Sequence, residues 1–166
     1  IPFPSELSNV EQKLRAIGLG ALPDKGLELM NRAAEDAVKE ATPIFVNAIK
    51  NMSFADARNI LMCHDSSATN YLESTTRDSL YAKFYPVMET SFSKVGADKA
   101  WNGITTKYNA IPFVKKVNPD IKDFVTEGAL NGVFKMIVIE EKEIRTNLQE
   151  RTSDILKKVF ALQDNR

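Results

Sequence analysis

The stretch that decides the fold is TTRDSLYAKFYPVMETSFSKV, residues 75–95. On a helix, its larger apolar side chains fall within an arc of roughly 140°. They are Leu80, Phe84, Val87, Met88, Phe92 and Val95. An apolar face of this length needs partners from several other segments. The stretch therefore predicts the central helix of an all-helical domain.

Pro86 lies in the middle of this stretch. A proline inside a helix removes one backbone donor and crowds the carbonyl four residues earlier, which here belongs to Ala82. We therefore predict a bend or a break within one turn of Pro86. At the other end, Thr75 and Thr76 either cap a new helix or let the helix that carries Tyr71 run straight on.

Helical spacing of apolar residues recurs on both sides of the central stretch. Helices are predicted to start at or near Ser5, Asp24, Thr42, Ser53, Asp98, Asn118, Thr126 and Thr152 or Ser153. The Ser53 start resembles a capping box with Asp56 in place of glutamate. Gly128 and Gly132 favour a close helix contact. The chain thus predicts one all-α domain over residues 1–166, an irregular bundle of about eight helices.

Composition excludes several classes of function. The chain has 22 basic and 22 acidic residues, whereas proteins that bind duplex nucleic acid usually carry a basic excess. Its single cysteine forbids an internal disulfide. No apolar run approaches the roughly 20 residues of a membrane span. The chain starts at Ile1 rather than methionine, so we expect a processed product or a trimmed chain.

The most reactive side chains stand together at Cys63, His64 and Asp65, which are the single cysteine, the single histidine and a carboxylate. A nucleophile, a base and an orienting group must converge in space, but neighbouring side chains diverge. We therefore interpret them as a turn between helices. A zinc site would need two further carboxylates.

Three glutamates, residues 140, 141 and 143, raise the alternative of a carboxylate-bridged metal. Such sites use Glu-x-x-His pairs, and the single histidine lies elsewhere. Glu141 and Arg145 are four residues apart and more simply predict an exposed pair on a helix surface, worth a few tenths of a kcal/mol. The same reading applies to Arg32 with Glu28 or Asp36. No metal or cofactor is predicted.

The segment AIPFVKKVN, residues 110–118, is extended because of its proline, yet it carries four apolar side chains. We call it the strap. It either seals the core, which we favour, or forms the movable edge of a ligand or partner site. Aromatic residues in the chain likewise either line a groove or belong to the core, the commoner case. The predicted candidate surface comprises Tyr71, Trp101, Tyr108, Ile111, Phe113, Val114 and Val117.

Ten segments, taken together, carry a resemblance to a known family. They are RAAEDAVKEATPIFVNAIKNMSFADARNIL (32–61), ATNYLESTT (68–76), FYPV (84–87), KVG (94–96), WN (101–102), YNAIP (108–112), VNPD (117–120), FVTEGALNGVFKMI (124–137), EEKEIR (140–145) and RTSDILKKVF (151–160). The chain is similar to the bacterial family named domain of unknown function 4197. One departure is Cys63-His64, where members resemble a glycine-containing turn.

The resemblance implies an exported protein with a signal peptide or lipoprotein signal ahead of this chain, and hence a place in the periplasm or cell envelope. It implies no activity. We expect a non-enzymatic binding module for a partner protein or a small apolar ligand, with no nucleic-acid partner. The alternatives are an enzyme of unknown reaction with a site on helix faces, and a membrane-peripheral protein held by an upstream lipid anchor.

Overall fold

The computed structural model describes residues 11–12, 15, 21–63, 66–93, 97–113 and 116–164. All regular secondary structure in these residues is helical. The seven α-helices are α1 (Ala21–Val38), α2 (Ala41–Lys50), α3 (Phe54–Met62), α4 (Ser67–Ser93), α5 (Ala97–Asn109), α6 (Ile121–Thr146) and α7 (Asp154–Asp164), and a 3-10 turn (Leu148–Glu150) precedes α7. The predicted all-α class is confirmed, while the described helix count is slightly below the predicted eight. None of the described helices is long and apolar enough to cross a membrane.

The contacts of the chain group it into two compact units. The first unit comprises Ile1–Ala41 and Leu80–Leu130, and the second comprises Thr42–Ser79 and Asn131–Arg166. Helices α4 and α6 each contribute residues to both. The single domain over residues 1–166 stays a prediction.

Helix α4 contains residues 75–93 of the central stretch, and it continues without interruption through Pro86. The predicted break is therefore wrong, and the predicted bend stays a prediction. The start at Thr75 or Thr76 is also absent, because the two hydroxyls donate to the carbonyls of Tyr71 and Leu72 within the same helix, at 2.8 and 2.6 Å. Hydroxyls that bond back in this way do not act as caps.

The core of the first unit confirms the predicted apolar face of α4. The side chains at its centre are fully or almost fully buried at four-residue spacing: Leu80, Phe84, Met88 and Phe92. Val95 lies outside the described residues. Buried side chains from α5 and α6 complete this core, among them Trp101, Val125 and Leu130. Packing on both sides of Pro86 stabilises the continuous helix against the local cost of the proline.

Three predicted helix starts differ from those observed. Helix α1 begins at Ala21, and the carboxylate of Asp24 pairs with Arg15 instead of capping. Helix α6 begins after Asp120, whose Oδ1 accepts from the backbone N–H of Lys122 at 2.9 Å. It then runs through Thr126, whose hydroxyl donates to the carbonyl of Lys122.

Two predicted caps are confirmed, and one predicted close contact is not. Ser53 and Asp56 form the capping box of α3, with each side chain accepting from the other's backbone N–H at 3.1 Å. The hydroxyl of Ser153 accepts from the N–H of Leu156 at the start of α7. Apart from its own stretch of helix backbone, a Cβ atom at Gly132 would meet no atom of the described residues within 4 Å, so this glycine serves no close contact with a described helix. The helix predicted from Ser5 falls largely on residues outside those described.

Candidate functional site

The second unit contains a cavity of about 400 Å³ that opens to solvent, and some of its lining side chains, such as Ile49 and Val159, are exposed. It lies between α2, α3, the start of α4, the last part of α6, and α7. Its wall is almost entirely apolar and includes Ile49, Met52, Ala57, Ile60, Leu61, Ala68, Leu72, Ile137, Ile144, Leu156, Val159 and Phe160. Three charged residues, Glu140, Glu141 and Arg145, also line it.

Helix α6 supplies both the apolar and the charged part of one cavity wall. Ile137, Glu141 and Ile144 follow one another at spacings of four and three residues, which places them on one helix face. Arg145 lies one turn after Glu141. The prediction of an exposed pair is wrong, because Glu141 is 8% exposed and Arg145 is 4% exposed. The ion pair is buried because Glu141 lies on the helix face whose apolar residues, Ile137 and Ile144, line the cavity.

The carboxylate of Glu141 caps the start of α4. Its two oxygens accept from the backbone N–H groups of Ala68 and Thr69, at 2.9 and 2.8 Å, and from the hydroxyl of Thr69 at 2.7 Å. A helix N-terminus presents unsatisfied N–H groups and a positive dipole end, so it favours a negative charge. Arg145 adds two more hydrogen bonds, from Nε at 2.9 Å and Nη2 at 2.7 Å.

This environment decides the protonation of Glu141. Burial by itself raises the pKa of the carboxyl group, but the hydrogen bonds from Ala68, Thr69 and Arg145 outweigh it. The pKa of Glu141 therefore lies below its ordinary value, and the carboxylate is ionised at neutral pH. Because it is already saturated with donors, it is poorly placed to take a proton from a bound molecule.

Arg145 uses every donor that its guanidinium group offers. Besides the two bonds to Glu141, Nη2 donates to the carbonyl of Ile60 at 2.7 Å, and Nη1 donates to the carbonyl of Leu61 at 3.3 Å and to Oε1 of Gln163 at 3.2 Å. Ile60 and Leu61 belong to the last turn of α3, whose carbonyls have no partner within the helix. One buried ion pair thus satisfies the end of α3 and the start of α4.

A second arginine fastens α7 against the end of α6. Arg151 is 2% exposed and donates to the carbonyls of Ile144 and Arg145, at 2.9 and 2.8 Å. It also pairs with Asp164 near the end of α7, and this hydrogen bond raises the pKa of Arg151. Both guanidinium groups lie over the ring of Phe160, with the Cζ atoms of Arg145 and Arg151 at 5.7 and 5.2 Å from the ring centroid. Cations at these distances attract the face of an aromatic ring.

None of the described residues of the predicted candidate surface lines this cavity. Trp101 and Val117 are buried in the core of the first unit. Trp101 donates from Nε1 to the carbonyl of Asn118 at 2.9 Å, and the Asn109 side chain bonds both backbone groups of Val117. Tyr108 is half-buried.

The prediction that the strap seals the core is wrong for two of its side chains, and the alternative of a ligand or partner site stays a prediction. Ile111 and Phe113 are exposed, so these two side chains do not seal the core, whereas Val117 at the far end does. Phe113 is fully exposed at a backbone φ of 64°, in the left-handed region that residues with a Cβ rarely adopt. Val114 lies outside the described residues. Tyr71, the remaining candidate, belongs to the second unit and is half-buried. Ligand binding at these residues stays a prediction.

The turn between α3 and α4 begins at Cys63, which is exposed and ends α3 by donating its N–H to the carbonyl of Asn59. His64 and Asp65 lie outside the described residues, so their part of the turn prediction stays a prediction. In the described part of the chain, no three His, Cys, Asp or Glu side chains are grouped so that they could hold a metal ion.

Sequence reasoning missed the cavity because its walls come from five segments. The available signal was the position of Glu141 on the apolar face of α6, four residues after Ile137 and three before Ile144. A carboxylate at a buried position requires a partner, and Arg145 is the basic residue one turn away.

Comparison with known proteins gave one match. A family model described as "Protein of unknown function (DUF4197)" matches residues 1–161. Neither the curated proteins nor the solved structures gave a significant match.

Proposed function

We propose that this chain, which belongs to the DUF4197 family, is a binding protein for a small apolar ligand held in the cavity of the second unit. The observation that carries the proposal is the cavity itself. Its volume of about 400 Å³ lies within the range of roughly 300–1,000 Å³ that is typical of small-molecule sites. An apolar cavity of about 150 Å³ already binds benzene in another protein.

The buried ion pair at the wall favours binding over acid–base chemistry. A catalytic acid or base needs a free proton position that faces the substrate. The hydrogen bonds of Glu141 and Arg145 instead go to each other and to the ends of two helices. They hold the walls in place and leave the apolar surface to contact the ligand. An enzyme of unknown reaction is therefore the weaker alternative.

We place the protein in the periplasm or cell envelope, on the strength of the family resemblance. An apolar ligand is poorly soluble in water, so a protein that shields part of its surface suits an aqueous compartment between membranes. Fractionation of the native host, with detection of the untagged protein, tests this placement. Recovery in the cytoplasmic fraction would overturn it, and release from membranes by detergent alone would support an upstream lipid anchor.

Filling the cavity tests the binding function. Ala57 lines the cavity on α3, so Ala57→Trp should reduce binding of the uncharged fluorescent probe N-phenyl-1-naphthylamine by about tenfold or more. Ala55 is exposed on the same helix and does not line the cavity, so Ala55→Trp is the matched control. Both proteins should give the helical circular dichroism of the wild type. Equal binding by both variants, or no binding by the wild type, would contradict the proposal.

A further inference from the structure

We infer that the cavity selects an uncharged ligand and rejects anionic amphiphiles such as ionised fatty acids. This inference rests on the proposed function and names the chemical class of the ligand. It follows from the hydrogen-bonding state and the charge of the three ionisable residues at the cavity wall.

Arg145 is the cation of the cavity wall, and it offers no free donor to a ligand. A guanidinium group has five N–H donors. In this structure the five donors meet five acceptor contacts, two to Glu141 and one each to Ile60, Leu61 and Gln163. A ligand carboxylate could bind Arg145 only by displacing one of these buried partners, which would leave that partner unsatisfied.

Glu141 neutralises Arg145 locally, at 2.7 Å. The two charges cancel over the distance of a ligand head group. Glu141 itself accepts from Ala68 and Thr69 as well as from Arg145, so its oxygens are occupied.

Glu140 leaves the cavity wall with one uncompensated negative charge. It lines the cavity and is exposed, and within the described residues it makes no ion pair. No lysine lies among the described residues that line the cavity. An anionic head group at the opening would therefore meet a like charge, and one drawn inside would lose its hydration without gaining a partner. An uncharged ligand meets no repulsion from the like charge, and burying a hydroxyl group costs far less than burying an unpaired carboxylate.

The test compares three ten-carbon ligands on the whole chain: decane, 1-decanol and decanoate, each displacing the naphthylamine probe near neutral pH. We expect 1-decanol to bind about tenfold more tightly than decanoate. Decanoate binding that equals or exceeds that of 1-decanol would overturn the inference and leave the proposed function standing. If none of the three displaces the probe, the proposed function itself fails.

The affinity of Glu140→Gln for decanoate, measured against that for 1-decanol, is a second test. A purely structural role of Glu140 would change both affinities alike. Glu140→Gln should raise the affinity for decanoate about three- to fivefold at low ionic strength and leave that for 1-decanol unchanged. Glu143 is exposed on the same helix and does not line the cavity, so Glu143→Gln should change neither affinity. An equal gain from both variants, or no gain from Glu140→Gln, would overturn the assigned role of Glu140.

Discussion

Replacing Glu141 with glutamine removes the buried charge while keeping the size of the side chain almost unchanged. The wild-type oxygens accept five hydrogen bonds, three at Oε1 and two at Oε2. A glutamine can offer only one carbonyl oxygen, so either orientation of its amide places an NH₂ group against buried donors. Each buried donor left without an acceptor costs about 1–3 kcal/mol.

The larger cost comes from the partner charge. Glu141→Gln leaves Arg145 4% exposed and without its counterion. Breaking a buried pair by removing one partner typically costs about 3–5 kcal/mol, and we expect a loss of this size. For a chain of this length it corresponds to a fall in Tm of roughly 6–20 °C.

Urea denaturation followed by circular dichroism measures this loss. Glu143→Gln removes an exposed carboxylate two residues away and should stay within about 0.5 kcal/mol of the wild type. Arg145→Met completes a double-mutant cycle, in which the double variant should be less destabilised than the two single losses added together. A loss below about 1 kcal/mol for Glu141→Gln, or additive losses in the cycle, would contradict a buried pair and favour the exposed pair predicted from the sequence.

Four further predictions follow from the described contacts. The pKa of Glu141 is lowered in the folded state, so its ionised form should stabilise the fold fully above the unfolded carboxyl pKa of about 4.3. This stabilisation should be lost as pH falls through the folded pKa. In urea denaturation at a series of pH values, the free energy of unfolding should therefore fall less steeply toward acid pH for Glu141→Gln than for the wild type. Cys63→Ser should change the free energy of unfolding by less than about 1 kcal/mol, and a larger loss would contradict an exposed turn. Phe113→Gly should leave stability unchanged or raise it by up to about 1 kcal/mol, because it relieves a positive φ and removes no buried contact; a clear loss would show that the ring packs. Gly132→Ala should raise the free energy of unfolding by about 1 kcal/mol, measured by thermal unfolding, and a loss of stability would contradict the open space found at this position.

Helical spacing predicted the central helix well, because its large apolar residues recur every four positions and nothing else on that face competes with them. Leu80, Phe84, Met88 and Phe92 are buried as that spacing requires. The break at Pro86 was wrong for a related reason. The local cost of a proline is visible in the sequence, whereas the packing that offsets it comes from residues of α5 and α6 that lie far away in the chain.

The candidate site was harder to predict, because a charge pattern does not show burial. Glu141 and Arg145 have the same spacing as the exposed pair Arg32 and Glu28, which is observed at 2.8 Å on the surface of α1. What distinguishes the two pairs is that Glu141 lies on the same helix face as the apolar Ile137 and Ile144. In the strap, no periodicity exists to orient the side chains, and the exposed Phe113 could not be distinguished from a buried one.

The most direct test of the central claim is an isoleucine-methyl NMR titration of the chain with 1-decanol. Four isoleucines line the cavity, namely Ile49, Ile60, Ile137 and Ile144, whereas Ile111 and Ile155 do not; Ile49 is exposed like the two controls, so its signal separates cavity lining from exposure. We predict saturable shifts at the four cavity methyl groups and unchanged signals at Ile111 and Ile155. Shifts at Ile111 without shifts at the cavity methyl groups, or no saturable shift at any of them, would contradict ligand binding in the cavity of the second unit.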